Sequence, residues 1–306
     1  MMETDFLIQQ LINGISIGLV YALMAIGFTL IFGVLNVVNF AHGEIYMLGA
    51  FVGLLLITTF APPLFVVIIF VLAFGAVMGL ALDRLAFRPF RRFRDEASMK
   101  SKAIREATLL SSLALSIVIR EGVEKIFGAN MQVVPQDYLL ISPVQIGSFS
   151  FASGQFLIFG LSMAMLVGLQ LLLFKTHIGR SIRAVASNPA GAMYVGIHTE
   201  NVIMATFAVG SMLGASAGIV VGLYQGAVFP AMGFAPGIKA FVAMVMGGLH
   251  SIPGAVICAL ILGIAETFTT SYLAQGWGDL VAYAFLLLTL IFLDRKSTTS
   301  ELQSPS

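Results

Sequence analysis

Two amides, an imidazole and a carboxylate crowd into Asn36-Val37-Val38-Asn39-Phe40-Ala41-His42-Gly43-Glu44, between apolar stretches that leave no room for a solvated linker. A carboxylate at the centre of a membrane helix costs about 2.5 to 3.5 kcal/mol, so Glu44 is expected to face protein or water rather than lipid. If the segment is helical, Asn36, Asn39 and His42 share one face. The chemistry on offer is recognition along a solute path, with Glu44 attracting an ammonium group. The alternative is an interfacial cap that holds two helix ends together. Glu266 is a second isolated acid in an apolar run, suited either to the same path or to a helix–helix hydrogen bond. His250 sits in a break at Gly247 to Gly254 and reads as a packing or interfacial residue.

Catalysis finds little support. Gly214-Ala215-Ser216-Ala217-Gly218 spells a nucleophile elbow, but that motif needs a strand, a sharp turn and a helix, and here it lies inside one apolar helical run. An intramembrane enzyme would have only Ser216 and His250 as nucleophile and base, with no third group to orient them. There is no H-E-x-x-H and no G-x-x-x-x-G-K-[ST] phosphate loop, so nucleotide hydrolysis must belong to another polypeptide. The one cysteine, Cys258, can form neither an intrachain disulfide nor a cysteine metal cluster, and no cofactor is expected.

The elements that position these groups are membrane helices. Of 306 residues 58% are hydrophobic and 10% charged, with mean hydropathy +0.98. Soluble domains carry about 25% charged residues, so lipid is the expected solvent. A net charge of +1 gives no footing for nucleic-acid binding. Stretches of the length that crosses a hydrocarbon layer are Leu7 to Val34, Glu44 to Phe60, Leu64 to Ala86, Ala107 to Phe127, Phe156 to Phe174, Val202 to Tyr224, two short segments between Ile238 and Tyr272 broken at Gly247 to Gly254, and Leu280 to Leu293. The expected fold is all-α and polytopic, with eight or nine crossings in a single domain, 1–296, and a disordered tail, 297–306. The N-terminus lacks the positive region of a secretory signal, so the first stretch is expected to remain as a span.

Within Val202 to Tyr224 and just beyond, Gly210, Gly214, Gly218, Gly222 and Gly226 recur every fourth residue, a stripe of missing side chains that lets another backbone approach. Gly14 with Gly18, and Gly75 with Gly79, repeat the spacing. Sliding or docking of a partner subunit and static packing within the bundle both fit. The two breaks, one in each half, would mark corresponding points of an internal repeat whose discontinuous helices line a path.

Basic residues orient the spans, because Lys and Arg beside short loops stay cytoplasmic. Eight fall between Arg84 and Arg105, three between Lys175 and Arg183, and two at Arg295 and Lys296. Those segments are expected on the cytoplasmic side, with the N-terminus outside. Arg120 with Glu124, and Glu121 with Lys125, have helical pairing distance and suit the outer interface. The connection 179–200 carries helix signals of its own. Ser181 to Ala186 forms one short helix, Asn188 caps a second with Pro189 at its first position, Ala190 to Val195 follows, and Gly196 stops it. The small residues Ala190, Gly191 and Ala192 would admit close approach by another protein, or the pair is a plain interfacial element.

These segments together carry a resemblance. Gly14 to Gly33, Asn39-Phe40-Ala41-His42-Gly43-Glu44, the run Gly179-Arg180-Ser181-Ile182-Arg183-Ala184-Val185-Ala186-Ser187-Asn188-Pro189 with Gly196-Ile197, and Gly247-Gly248 with Ile252-Pro253-Gly254-Ala255 resemble permeases of the high-affinity branched-chain amino acid ABC transporters, of the LivH type, over about residues 6 to 295. The resemblance implies a second, related permease subunit, two cytoplasmic ATPase subunits docked on coupling loops around Arg183, Asn188 to Ala192 and Gly196, an extracytoplasmic solute-binding protein, and residence in the bacterial inner membrane. Where that family usually shows Glu-Ala-Ala before the coupling-loop glycine, this chain has Ala190-Gly191-Ala192, which removes a carboxylate from the docking surface. The basic stretch Arg91 to Arg105 is more charged than the family leads one to expect. An ion-coupled secondary transporter would also need broken helices and buried acids but no docking loop, and a urea or short-amide permease of the same class would share every feature.

Overall fold

The computed structural model describes residues 2–91, 102–139, 143–146, 149–273 and 276–301. The eleven helices used below are α1 (Met2–Leu35), α2 (His42–Phe60), α3 (Leu64–Leu82), α4 (Lys102–Phe127), α5 (Ser153–Lys175), α6 (His177–Ser187), α7 (Pro189–Tyr194), α8 (Thr199–Gln225), α9 (Phe234–Gly247), α10 (Ile252–Tyr272) and α11 (Trp277–Glu301). A π-helical turn, Asp83–Phe87, and a short helix, Arg88–Arg91, prolong α3. Two small ribbons complete the chain: β1 (Gln132–Val133) with β4 (Ala227–Val228), and β2 (Pro143–Ile146) with β3 (Phe149–Ala152), both antiparallel. Among the described residues, α1, α2, α3 with its extension, α5, α8 and α10 are long and apolar enough to span a membrane. Two shorter apolar helices, Phe234–Gly247 and Trp277–Thr289, stand beside them, and α4 is long but more polar. The protein is thus an all-α polytopic membrane protein. Helix α11 is described to Glu301, and 302–306, the end of the expected tail, lie outside the described residues, as do 92–101 of the basic stretch.

Local signals end the helices where they occur in the sequence. Ala61, at φ +46, followed by two prolines that cannot donate to a helix, closes α2. Asn188 Oδ1 accepts from Gly191 N at 2.9 Å and caps α7, Pro189 occupies its first position, and Gly196 leaves in the left-handed region at φ +83. Ser251 caps α10 in the same way, accepting from Gly254 N at 3.1 Å.

The chain turns back inside the bundle twice. After α1, Asn36 at φ +53 reverses the backbone, and a non-helical segment, 36–41, returns to start α2 at His42, alongside Gly27 of α1. Eight residues separate Gly27 from Leu35, so at 1.5 Å per residue α2 begins about 12 Å inside the end of α1. After α8, Gly226 at φ +72 reverses the chain again, and 226–233 returns so that α9 begins against Gly43. The two short-return helices meet start to start, Gly43 against Gly233 and Gly237. The most extensive contacts are α1 with α10 and α8 with α3, both antiparallel by their glycine contacts. Helix α2 runs alongside α8, and α9 alongside α1. Thus α1–α2–α3 and α8–α9–α10 repeat one pattern in opposite senses.

This corrects one expectation. The break that answers 36–41 is 226–233; Gly247 to Gly254 is the tight turn between α9 and α10. It still reaches the first break, because His250 Nε2 lies 3.1 Å from Asn36 Oδ1.

Candidate functional site

The glycine stripe is filled by this chain's own helices. A Cβ on Gly210 would meet the Gly27 backbone, one on Gly218 would strike the carbonyl of Tyr46, and Gly222 packs on Ala50 and Val228. Gly214 and Gly27 flank the ring of His42, which is wedged at the crossing of α1, α2 and α8 with 0% exposure. Gly226 lies past the helix end and serves as its left-handed terminus rather than as part of the packed face. Gly14 and Gly18 seat α10 at Ile264 and Leu260, and Gly75 and Gly79 seat α8 at Ala215, Ser211 and Phe207. Ser216 lies inside α8 and donates to Leu213 O at 2.8 Å, so the elbow geometry does not form.

Because 36–41 is not helical, Asn36, Asn39 and His42 do not share a helix face. Asn36 contacts His250, and Asn39 Oδ1 accepts from Ala41 N at 3.1 Å, closing the turn that launches α2. The ring of His42 stands edge-on to Phe28, 4.7 Å between centroids. Glu44, 3% exposed, accepts from Ser116 Oγ of α4 at 3.0 Å through Oε1, while its Oε2 has no partner among the described residues.

Glu266 is placed elsewhere. Lys239 of α9 reaches Glu266 Oε1 at 2.6 Å and Asp279 of α11 at 2.7 Å, while Tyr21 of α1 donates to Glu266 Oε2 at 2.9 Å. Four helices are thereby clamped by one buried cation, and no oxygen of Glu266 is left over. Lys239 and Tyr21 carry this cluster without any local signal in the sequence.

The basic end of the bundle gathers the residues of the connection 179–200. Helices α6 and α7 follow α5, and Arg183 lies over the ring of Phe174 at 4.5 Å. Ala192 is buried, and Ala190 and Gly191 face a cavity of about 700 Å³ that Asn36, Arg91, Arg105, Thr108 and Asn188 also line. Met193 and Tyr194 line the same cavity but remain exposed, as does Val195 just past the end of α7, with Tyr194 87% exposed. Beside them, Arg91 Nη2 lies 2.6 Å from buried Asp83 and 3.5 Å from Glu200 at the start of α8, and Arg88 lies 3.8 Å from Glu200. The π-helical turn and the first turn of α8 are thus tied by charge next to α7. Arg120 contacts its neighbour Glu121 at 3.9 Å rather than Glu124.

A polytopic bundle of two oppositely directed three-helix sets, whose returning helices α2 and α9 start against each other, is the frame of a membrane permease. The chain belongs to the family described as branched-chain amino acid transport system / permease component, whose model matches residues 10–290. It is 33% identical to the high-affinity branched-chain amino acid transport system permease protein BraD of Pseudomonas aeruginosa, over 95% of both chains. It shares 33% identity with LivH of Escherichia coli K12, over 94% of both, and 32% with a probable LivH of Methanocaldococcus jannaschii, over 84% of this chain and 79% of that one. The chain is accordingly the permease component of an ABC transport system and not its ATPase.

Proposed function

We propose that this permease forms one half of a solute pathway in the bacterial inner membrane, beside a second related permease subunit. Two ATPase subunits dock on α6 and α7, and an extracytoplasmic binding protein supplies a branched-chain amino acid or a similar small polar solute. The solute class rests on the names of the relatives. The observation that supports the mechanism is the exposed edge Met193-Tyr194-Val195 at the end of a capped helix that lines one cavity with Arg91, the residue that ties the extension of α3 to Glu200 of α8. A push on α7 reaches the helices that cross at the glycine stripe, where close backbone contact allows two alternative packings and hence alternating access. The Lys and Arg counts of the sequence support a cytoplasmic placement for 84–105 and 175–200 and an external N-terminus.

The test uses Tyr194→Arg, which alters an exposed side chain without cost to the fold. In proteoliposomes holding the whole importer, uptake and solute-stimulated ATP hydrolysis fall together, with less ATPase co-purifying. Gradient-driven uptake by the chain without ATPase subunits would overturn the reading and favour a secondary transporter. For orientation, Ser187→Cys in a Cys258→Ser background stays unlabelled by impermeant reagents in intact cells, while Asn130→Cys is labelled; the reverse pattern inverts the topology.

A further inference from the structure

Helix α4 is long enough to cross the bundle yet too polar to count among the apolar spans, and its polar residues are ordered. Thr108, Ser112, Ser116 and Arg120 stand four apart, on one face. That face turns to the start of α2: Ser112 Oγ accepts from Phe40 N at 3.3 Å, and Ser116 Oγ donates to Glu44 at 3.0 Å. At the foot of the same face, Ile104, Arg105 and Thr108 line the cavity of about 700 Å³. Higher up, Arg120 has a side chain one-third exposed, holds Glu121 only loosely, and lies within electrostatic reach of Glu44.

We propose that the seam between α2 and α4 is the recognition point for a small zwitterionic amino acid, with Glu44 Oε2 taking the ammonium and Arg120 taking the carboxylate. This rests on the permease reading above and deepens it. A buried carboxylate oxygen without a donor is costly, and a passing ammonium supplies the missing hydrogen bond together with the opposite charge. Arg120 follows Ser116 by one turn, about 6 Å along the helix, and its long side chain bridges the remaining distance to a carboxylate bonded to the same carbon as the ammonium. An acid in the first turn of a helix also favours that helix's positive end. That role accounts for an acid at 44 but not for the serine ladder that faces it or for the unoccupied oxygen.

The experiment reads charge at the seam. In the assembled importer, Ser116→Cys in the Cys258→Ser background is exposed to a positive and a negative methanethiosulfonate of similar size during ATP turnover. The cationic reagent is expected to react on the order of tenfold faster, transported leucine slows it, and adding Glu44→Gln erases the preference. Glu44→Gln alone lowers leucine uptake about tenfold, and Arg120→Gln does likewise. A cysteine unreactive to both reagents, or a preference that survives Glu44→Gln, overturns the proposal. If Tyr194→Arg abolishes uptake while the seam variants leave it intact, only the recognition point is lost. If Tyr194→Arg is also silent, the coupling reading fails with it.

Discussion

Two acids stand isolated in apolar stretches of the sequence, and the protein treats them in opposite ways. Glu266 is saturated: Lys239 holds one oxygen and Tyr21 the other, and Asp279 shares the lysine. Glu44 is left half satisfied, one oxygen on Ser116 and the other without a partner among the described residues. Their supports differ as well. The Glu266 cluster is joined by ion pairs among α9, α10 and α11 and a hydrogen bond from α1, whereas Glu44 sits where α2 is set by the Gly218–Tyr46 backbone contact with α8 and by the His42 ring held between Gly214 of α8 and Gly27 of α1. Among the described residues the chain satisfies Glu266 as a clamp and leaves Glu44 one oxygen to spare. Only the partners distinguish the two.

The largest effect expected from breaking this contrast is at the clamp. Lys239→Leu leaves the partly buried Glu266 carboxylate without its cation; removing one member of a fully buried pair costs about 3–5 kcal/mol, and the 15% exposure of Glu266 puts this loss at the lower end of that range. The detergent-purified protein should lose much of its thermal stability, followed by the melting of its size-exclusion peak. The double variant Lys239→Leu, Glu266→Leu should regain most of that loss, because a buried pair replaced by apolar groups is often neutral. A double variant as unstable as the single one would mean that the clamp works through packing rather than charge.

Next comes the glycine crossing that positions Glu44. Gly218→Ala puts a methyl group on the Tyr46 carbonyl and should cost about 1–3 kcal/mol as the backbones part. Gly160→Ala in α5 meets nothing and should be neutral or stabilising by up to about 1 kcal/mol. Ala217→Leu, the natural comparison by sequence position, is not neutral, because Ala217 is itself fully buried. Equal melting temperatures for Gly218→Ala and Gly160→Ala would show that the stripe has no packing role.

What was legible in the chain follows from how far each signal reaches. Apolar length revealed the spans, and the Asn188-Pro189 and Gly196 signals located α7, because helix starts and stops depend on a few neighbouring residues. The four-residue glycine period pointed to the face that packs, although Gly226 turned out to terminate the helix. The return at 36–41 was not legible: the helical face drawn through Asn36, Asn39 and His42 assumed a continuity that Asn36, at positive φ, breaks. The clamp was out of reach, since Lys239 and Tyr21 lie 27 and 245 residues from Glu266 and nothing local links them. The face of α4 was written at positions 108, 112, 116 and 120, but serines at helical spacing gain meaning only when a carboxylate is seen opposite them.

The smallest expected stability change is the one that separates the two acids most cleanly. Tyr21→Phe removes one hydrogen bond from a saturated carboxylate and should cost about 1 kcal/mol, with uptake falling only as far as folded protein does. Glu44→Gln keeps an oxygen for the Ser116 hydroxyl. It gives up the attraction between an acid and the start of α2, worth about 0.3–1 kcal/mol, and it removes a charge from a buried position, which works in the opposite direction. The two changes nearly offset, so the melting temperature should move less than it does for Tyr21→Phe. Uptake, in contrast, should drop well beyond any loss of folded protein. A Glu44→Gln protein that melts as early as Lys239→Leu would make Glu44 a second clamp, and the distinction between the two acids would then disappear.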